Sequence, residues 1–252
     1  AAFARFVADR LAENDARIAF GAFAENADEV ALEVPAEVEL RGGLKAPVRG
    51  TVTLKLVQLA GDLGPDAPPQ LTAVCAVSPT MDLAVCVTAL ERRANYPYQW
   101  NFVRNLKARM RRKAAAFPGE FSLEPLGRIW TVRQFDEAYT APYHGFRDAD
   151  DYYHRASAMR VVHRITVPTL ILTAEDDPFV PPGPFHEPNV TGNPAITRVI
   201  TRHGGHCAFV EAEQPGYDGY WAEREVVAFT TAHRAPAAAP SRTPVPFPIP
   251  RA

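Results

Sequence analysis

The chain predicts an α/β fold with a mostly parallel sheet, and three observations carry that prediction. LTAVCAVS (residues 71 to 78) and TLILTA (169 to 174) are short apolar runs of the kind that suits strands buried on both faces of a parallel sheet. ITRVIT (196 to 201) is a third candidate strand, following a proline-rich loop. Helical segments separate and follow these runs, WAEREVVAFTTAH (221 to 233) being the closing amphipathic one, and strands alternating with helices imply an α/β sheet.

The remaining elements follow in order. Residues 1 to 20 place Phe3, Phe6, Val7, Leu11 and Ile18 near one face at helical spacing, which predicts an amphipathic helix. DEVALEVPAEVEL (28 to 40) alternates acidic and apolar side chains around Pro35 and reads as two short strands edged by the proline. TVTLKLVQLA (51 to 60) is read as a helix, and GDLGPDAPP then punctuates the chain. Residues 92 to 158 interrupt the strand–helix alternation with helical, aromatic and basic segments and are assigned to a cap. APAAAPSRTPVPFPIPRA (235 to 252), rich in Pro and Ala, is expected to be an extended or disordered tail. The organisation expected is therefore an atypical segment at 1 to 50, an α/β unit at 51 to 234 with its cap, and the tail.

Composition narrows the function classes. A chain of 252 residues, 47% hydrophobic and 22% charged, matches neither a disordered, a collagenous nor a coiled-coil protein. A net charge of -2 gives no electrostatic reason to favour nucleic acid as a partner. Cys75, Cys86 and Cys207 form an odd set without C-x-x-C spacing, so neither a disulfide framework nor a zinc ribbon is expected. No apolar run reaches the roughly 18 residues of a membrane span, and no secretory leader pattern opens the chain. The expectation is a cytoplasmic protein that needs no cofactor and no metal.

Chemistry gathers in two loops. LILTAEDDPFVPP ends one strand with Asp176 and Asp177, and ITRHGGHCAFVE ends the next with His203 and His206. In an open parallel sheet, function collects beyond the carboxyl ends of strands, so an Asp from one loop and a His from the next can meet there. Such a pair suggests a hydrolase triad, in which Asp fixes the imidazole tautomer and His takes the proton of a nucleophile. Asp176 and Asp177 before Pro178 also fit a plain polar turn. His203 and His206 could hold a metal only with further ligands, and a metal-dependent hydrolase of that kind would be inhibited by a chelator. Cys207, beside His206, reads as a small packed residue more readily than as a nucleophile.

AVSPTMDLAVC, FDEAYTAPYHGFRDADDYY, RITVPTLILTAEDDPFVP and TRHGGHCAFVE together closely resemble the YheT-like branch of the α/β-hydrolases, a carboxylesterase-like group. The resemblance runs from about Thr51 to about Ala232. It implies a partial α/β-hydrolase fold with a helical cap, ester hydrolysis by a Ser-Asp-His mechanism, and a small-molecule ester or acyl compound as substrate. By it Asp177 is the triad acid and His206 the triad base, while Asp176 and His203 are neighbours. It also implies that the aromatic stretch from Tyr96 to Tyr153 either covers substrate or forms the cap's own core.

The nucleophile departs from the family pattern. The family carries a G-F-S-L-G-G-N elbow directly before a V-x-L-K helix, which is matched here by VTLKL at 52 to 56. Counting back from that helix puts Pro47 at the serine position, and Pro47 has no hydroxyl and would forbid the elbow backbone. The chain's four serines, Ser78, Ser122, Ser157 and Ser241, do not sit between glycines. Only 46 residues precede Pro47, where an α/β-hydrolase needs on the order of 80 before its nucleophile. By the resemblance, the C-terminal half of the fold follows an unrelated N-terminal segment, as deletion, a shifted reading frame or divergence would produce. The second reading is a non-catalytic acyl-binding module. An incomplete sheet also predicts self-association through an exposed strand edge.

Overall fold

The computed structural model describes the backbone at residues 17–19, 29–40 and 44–55, and whole residues at 56–69 and 71–233. The helix expected over residues 1 to 20 lies outside the described residues up to 16, and its last part is instead β1 (Arg17–Ala19). The tail at 235 to 252 also lies outside them.

Residues 28 to 40 were expected to form two short strands and form one, β2 (Glu29–Leu40), which pairs antiparallel with β3 (Leu44–Lys55) along its whole length. Pro35 lies within β2 opposite Arg49, beyond the stretch Ala31 to Glu33 that β1 pairs with among the described residues. The helix expected over residues 51 to 60 is corrected in its first half. Residues 51 to 55 continue β3, with Val52 opposite Leu32 and Leu54 opposite Val30, and α1 begins only at Leu56 (Leu56–Leu63). A β-branched, alternating stretch follows its cross-strand partner rather than the helix beyond it. VTLKL is accordingly strand for four of its five residues, and Pro47 sits mid-strand opposite Glu37 rather than in a strand–turn–helix elbow. The boundary expected between residues 50 and 51 falls inside β3.

The three strands that carried the α/β prediction are present as a parallel sheet. β4 (Val74–Val77), β5 (Thr169–Ala174) and β6 (Ile196–Thr201) lie in that order, with Val74 opposite Thr169 and Thr169 opposite Ile196. The architecture is mixed α/β with a parallel sheet, as a partial α/β-hydrolase fold requires. All six β5 residues are buried, which explains the unbroken apolar reading of TLILTA. Burying Leu170, Ile171 and Leu172 contributes about 2 kcal/mol each.

Parallel strands need crossovers, and here the first one is long. α2 (Leu83–Leu90), α3 (Tyr96–Ala116), α4 (Val132–Phe135), a π-helical turn at Asp136–Thr140, α5 (Ala141–Tyr143) and α6 (Ala149–Ala156) all lie between β4 and β5. This helical stretch has its own core of Val103, Met110, Leu126, Ile129, Phe135 and Tyr139. α7 (Pro188–Thr191) lies in the second crossover, and α8 (Trp221–Ala232) closes the described chain where WAEREVVAFTTAH predicted a helix.

Candidate active site

Both chemistry-bearing loops leave the carboxyl ends of adjacent strands, Asp177 three residues past β5 and His206 five past β6. The Asp177 side chain is fully buried, and each of its oxygens has work. Oδ1 accepts the backbone N–H groups of Phe179 and Val180 at 3.0 and 2.9 Å, and Oδ2 lies 2.9 Å from His206 Nδ1. A carboxylate that can only accept requires the proton to be on Nδ1, so Nε2 is the basic nitrogen of the ring. That Nε2 is buried and has no hydrogen-bond partner.

The neighbouring pair is different. Asp176 Oδ2 is 3.3 Å from His203 Nδ1 with both side chains largely exposed. Asp176 Oδ1 accepts the Gly205 N–H at 2.8 Å, and that bond leads the interactions holding the Asp176 carboxyl below the usual carboxylate range. This pair braces the loop that carries His206. The two glycines of HGGH have separate reasons: a Cβ on Gly204 would stand 2.6 Å from the Phe209 ring, and Gly205 has φ +54°. Asp177 and His206, the two residues implied by resemblance, are thus brought together, while Asp176 and His203 pair with each other.

The helical stretch supplies contacts that sequence reasoning missed. Buried Asn95, just before α3, donates from Nδ2 to the carbonyls of Ala89 (2.9 Å) and Pro178 (2.6 Å), tying that stretch to the residue after Asp177. Phe179 packs on the His206 ring at 4.4 Å and meets Tyr98 and Phe102 at 5.4 and 6.1 Å. A cleft of about 230 Å3 runs from His206 between Leu83, Val87, Phe102 and Leu106 to Asp136 and Tyr153. At that end the Tyr153 hydroxyl donates to Asp136 Oδ2 at 2.7 Å, and burial, followed by the Asp136 charge, pushes the phenol's pKa up. The only signal for these residues was the density of aromatics in the stretch. Of those aromatics, Phe135, Tyr139 and Tyr153 are buried whereas Tyr96, Tyr98 and Trp100 are exposed.

The described serines are otherwise engaged or enclosed. Ser157 Oγ donates to the Tyr153 carbonyl at 2.6 Å and accepts the Leu83 N–H, and Ser122 Oγ accepts the Glu124 N–H. Ser78, at φ +47° after β4, has an unpartnered hydroxyl but is only 1% exposed. Ser241 lies outside the described residues. Cys207 is exposed, Cys86 buried in the cleft wall, and burial pushes the Cys75 thiol up to about 11. Among the described residues no group of three or more His, Cys, Asp or Glu could hold a metal ion, and no helix is long and apolar enough to cross a membrane.

No protein-family model matches the chain. It is 38% identical over 149 residues to "Putative esterase YheT" of Escherichia coli (strain K12), covering 58% of this chain and 43% of that protein. It is 29% identical over 161 residues to phospholipase ABHD3 of Mus musculus, covering 64% of this chain and 39% of that one. The crystal structure of Paleococcus ferrophilus monoacylglycerol lipase has a TM-score of 0.36 at 16% identity, covering 71% of this chain and 65% of that one. The parallel sheet, taken with these sequence relatives, marks a protein of α/β-hydrolase type related to an esterase and to phospholipases. Within that class its sequence resembles the YheT-like branch. It spans about two fifths of the length of the curated relatives it matches.

Proposed function

We propose that the chain binds a small ester or acyl compound in the cleft beside His206, with Asp177 and His206 as the acid and base of a Ser-Asp-His ester hydrolase, and that it lacks the serine. The observation that carries the reading is the buried, unpartnered Nε2 of a ring whose Nδ1 is held by Asp177. A nitrogen so placed can accept the proton of a hydroxyl that attacks an ester carbonyl, while the Asp177 carboxylate stabilises the imidazolium that forms. The apolar walls suit an acyl chain, and residues 92 to 158 would act as the cap over it. Loss of the nucleophile leaves a weak residual catalysis from binding and polarity, so binding without turnover is the outcome proposed.

The test is intact-mass analysis after treatment with a fluorophosphonate probe, beside an Asp177→Asn, His206→Ala control, with binding of a non-hydrolysable medium-chain alkyl ether measured on the same protein. No adduct, together with saturable ether binding, is expected. A stoichiometric adduct absent from the control would overturn the missing-serine part and restore a working esterase. No ether binding would overturn the cleft as the acyl site.

Two further proposals accompany this one. An odd set of three cysteines without C-x-x-C spacing suits the reducing cytoplasm. β4 and β6, the edge strands of the parallel sheet among the described residues, suit self-association; a monodisperse monomer by light scattering would refute it.

A further inference from the structure

We infer that one face of α3 is a docking surface for an anionic lipid membrane. The helix sequence, YPYQWNFVRNLKARMRRKAAA, contains six Arg or Lys and no Asp or Glu, in a chain whose net charge is -2. Whole-chain charge therefore conceals a local concentration of the opposite sign. At about 100° per residue, Tyr96, Trp100, Arg104, Lys107 and Arg111 fall along a single stripe, and they line one groove together with Trp130. Its aromatic residues are among the most exposed in the described protein: Trp130 is 71%, Trp100 61% and Tyr96 54% exposed. The cations and aromatics are interleaved, Arg104 lying over the Trp100 ring at 4.9 Å and Lys107 over Trp130 at 5.1 Å. The acidic group in the groove, Glu91, is engaged by Arg133 at 3.2 Å.

Exposed Trp and Tyr with Lys and Arg on one helix face match the demands of the membrane interface, where amphipathic rings sit at headgroup level and cations meet anionic phosphates. A single-stranded nucleic acid could also use stacked rings and cations. The membrane is favoured because the same helix continues into the cleft: Phe102 and Leu106, on another of its faces, line the apolar space that ends at His206. Tyr98, on the Phe102 side of the helix, meets Phe179, which packs on His206. Docking through this face would hold the cleft close to a source of acyl chains. The inference does not depend on whether Asp177 and His206 turn over an ester.

The experiment is co-sedimentation of the full chain with vesicles of phosphatidylcholine alone and of phosphatidylcholine mixed with phosphatidylglycerol, at low and high salt. Tryptophan emission is read in a Trp221→Phe background, so that only Trp100 and Trp130 report. Binding to the mixed vesicles with a blue shift, lost at high salt, is expected. R104Q/K107Q/R111Q should lower the partition coefficient on the order of 100-fold. W100A/W130A, tested by sedimentation, should weaken binding with the charges intact, and serves as the second probe if the triple variant fails to fold. Equal binding by parent and both variants, equally tight binding to neutral vesicles, or retention on a single-stranded oligonucleotide without vesicle binding would overturn the inference.

Discussion

Asp177 with His206 and Asp176 with His203 are the same two residue types drawn from the same two loops, yet they occupy opposite environments. In the first pair the carboxylate is 0% and the imidazole 17% exposed at 2.9 Å; in the second the values are 44% and 89% at 3.3 Å. The buried carboxylate accepts two backbone N–H groups besides its histidine, so it orders its own loop while orienting the ring. The exposed pair is screened by water and merely steadies a turn. Only the first pair leaves a buried ring nitrogen without a partner at the wall of the cleft, whereas the His203 ring is open to water.

The contrast can be broken by substitution. Asp177→Ala would strand the buried Val180 N–H, the half-buried Phe179 N–H and the His206 Nδ1 proton, and should cost about 3 kcal/mol in urea unfolding. If Asp176→Ala cost as much, burial would not be what separates the pairs. Asn95→Ala leaves the Pro178 and Ala89 carbonyls without their buried donor, with an expected loss of about 2 kcal/mol. It should also raise hydrogen exchange at the Phe179 and Val180 amides; unchanged exchange would show that the buried pair does not need the helical stretch. Gly204→Ala drives a methyl against Phe209 and should cost about 1 to 2 kcal/mol. Because Phe209 packs on Trp221, a change in Trp221 emission should accompany it.

Alkaline titration sharpens the same comparison on another buried group. The folded pKa of Cys75 is raised by burial to about 11 from a usual 9.0. Its contribution to stability is therefore complete below pH 9 and is lost as pH rises towards 11. Cys75→Ala should flatten the decline of the urea midpoint over that window, and an identical decline in the variant would assign it to other groups. Asp176 gives the opposite sign: its depressed carboxyl favours the fold above the ordinary carboxylate range, and the benefit is lost as pH falls through its folded value. Asp176→Asn should therefore lower the urea midpoint slightly at neutral pH and converge with the parent as pH falls below the carboxylate range, the smallest effect of the set.

Much of this arrangement was legible from residues alone. TLILTA and ITRVIT match β5 and β6 residue for residue, and VCAV lies inside LTAVCAVS. Both acid–base loops stand where strands end. Thr51 to Lys55 misled because β-branched residues before a helical pattern fit either state, and only Glu29 to Glu33 on the opposite strand resolves the choice. Asn95 and Phe179 were invisible because Asn95 acts on a carbonyl 83 residues away and Phe179 on a ring 27 residues later. The basic and aromatic character of α3 was legible, but not that Tyr96, Trp100, Arg104, Lys107 and Arg111 share one groove with Trp130.

The sequence by itself determined the strands of the parallel sheet, the closing helix, and the loops that carry Asp and His, because apolar runs, helical spacing and punctuating prolines act over a few residues. Tertiary structure alone decided which Asp meets which His, which imidazole nitrogen is left without a partner, and which aromatics line the cleft or face solvent. Those outcomes depend on burial and on contacts between residues far apart in the chain, where desolvation rather than residue type sets the chemistry.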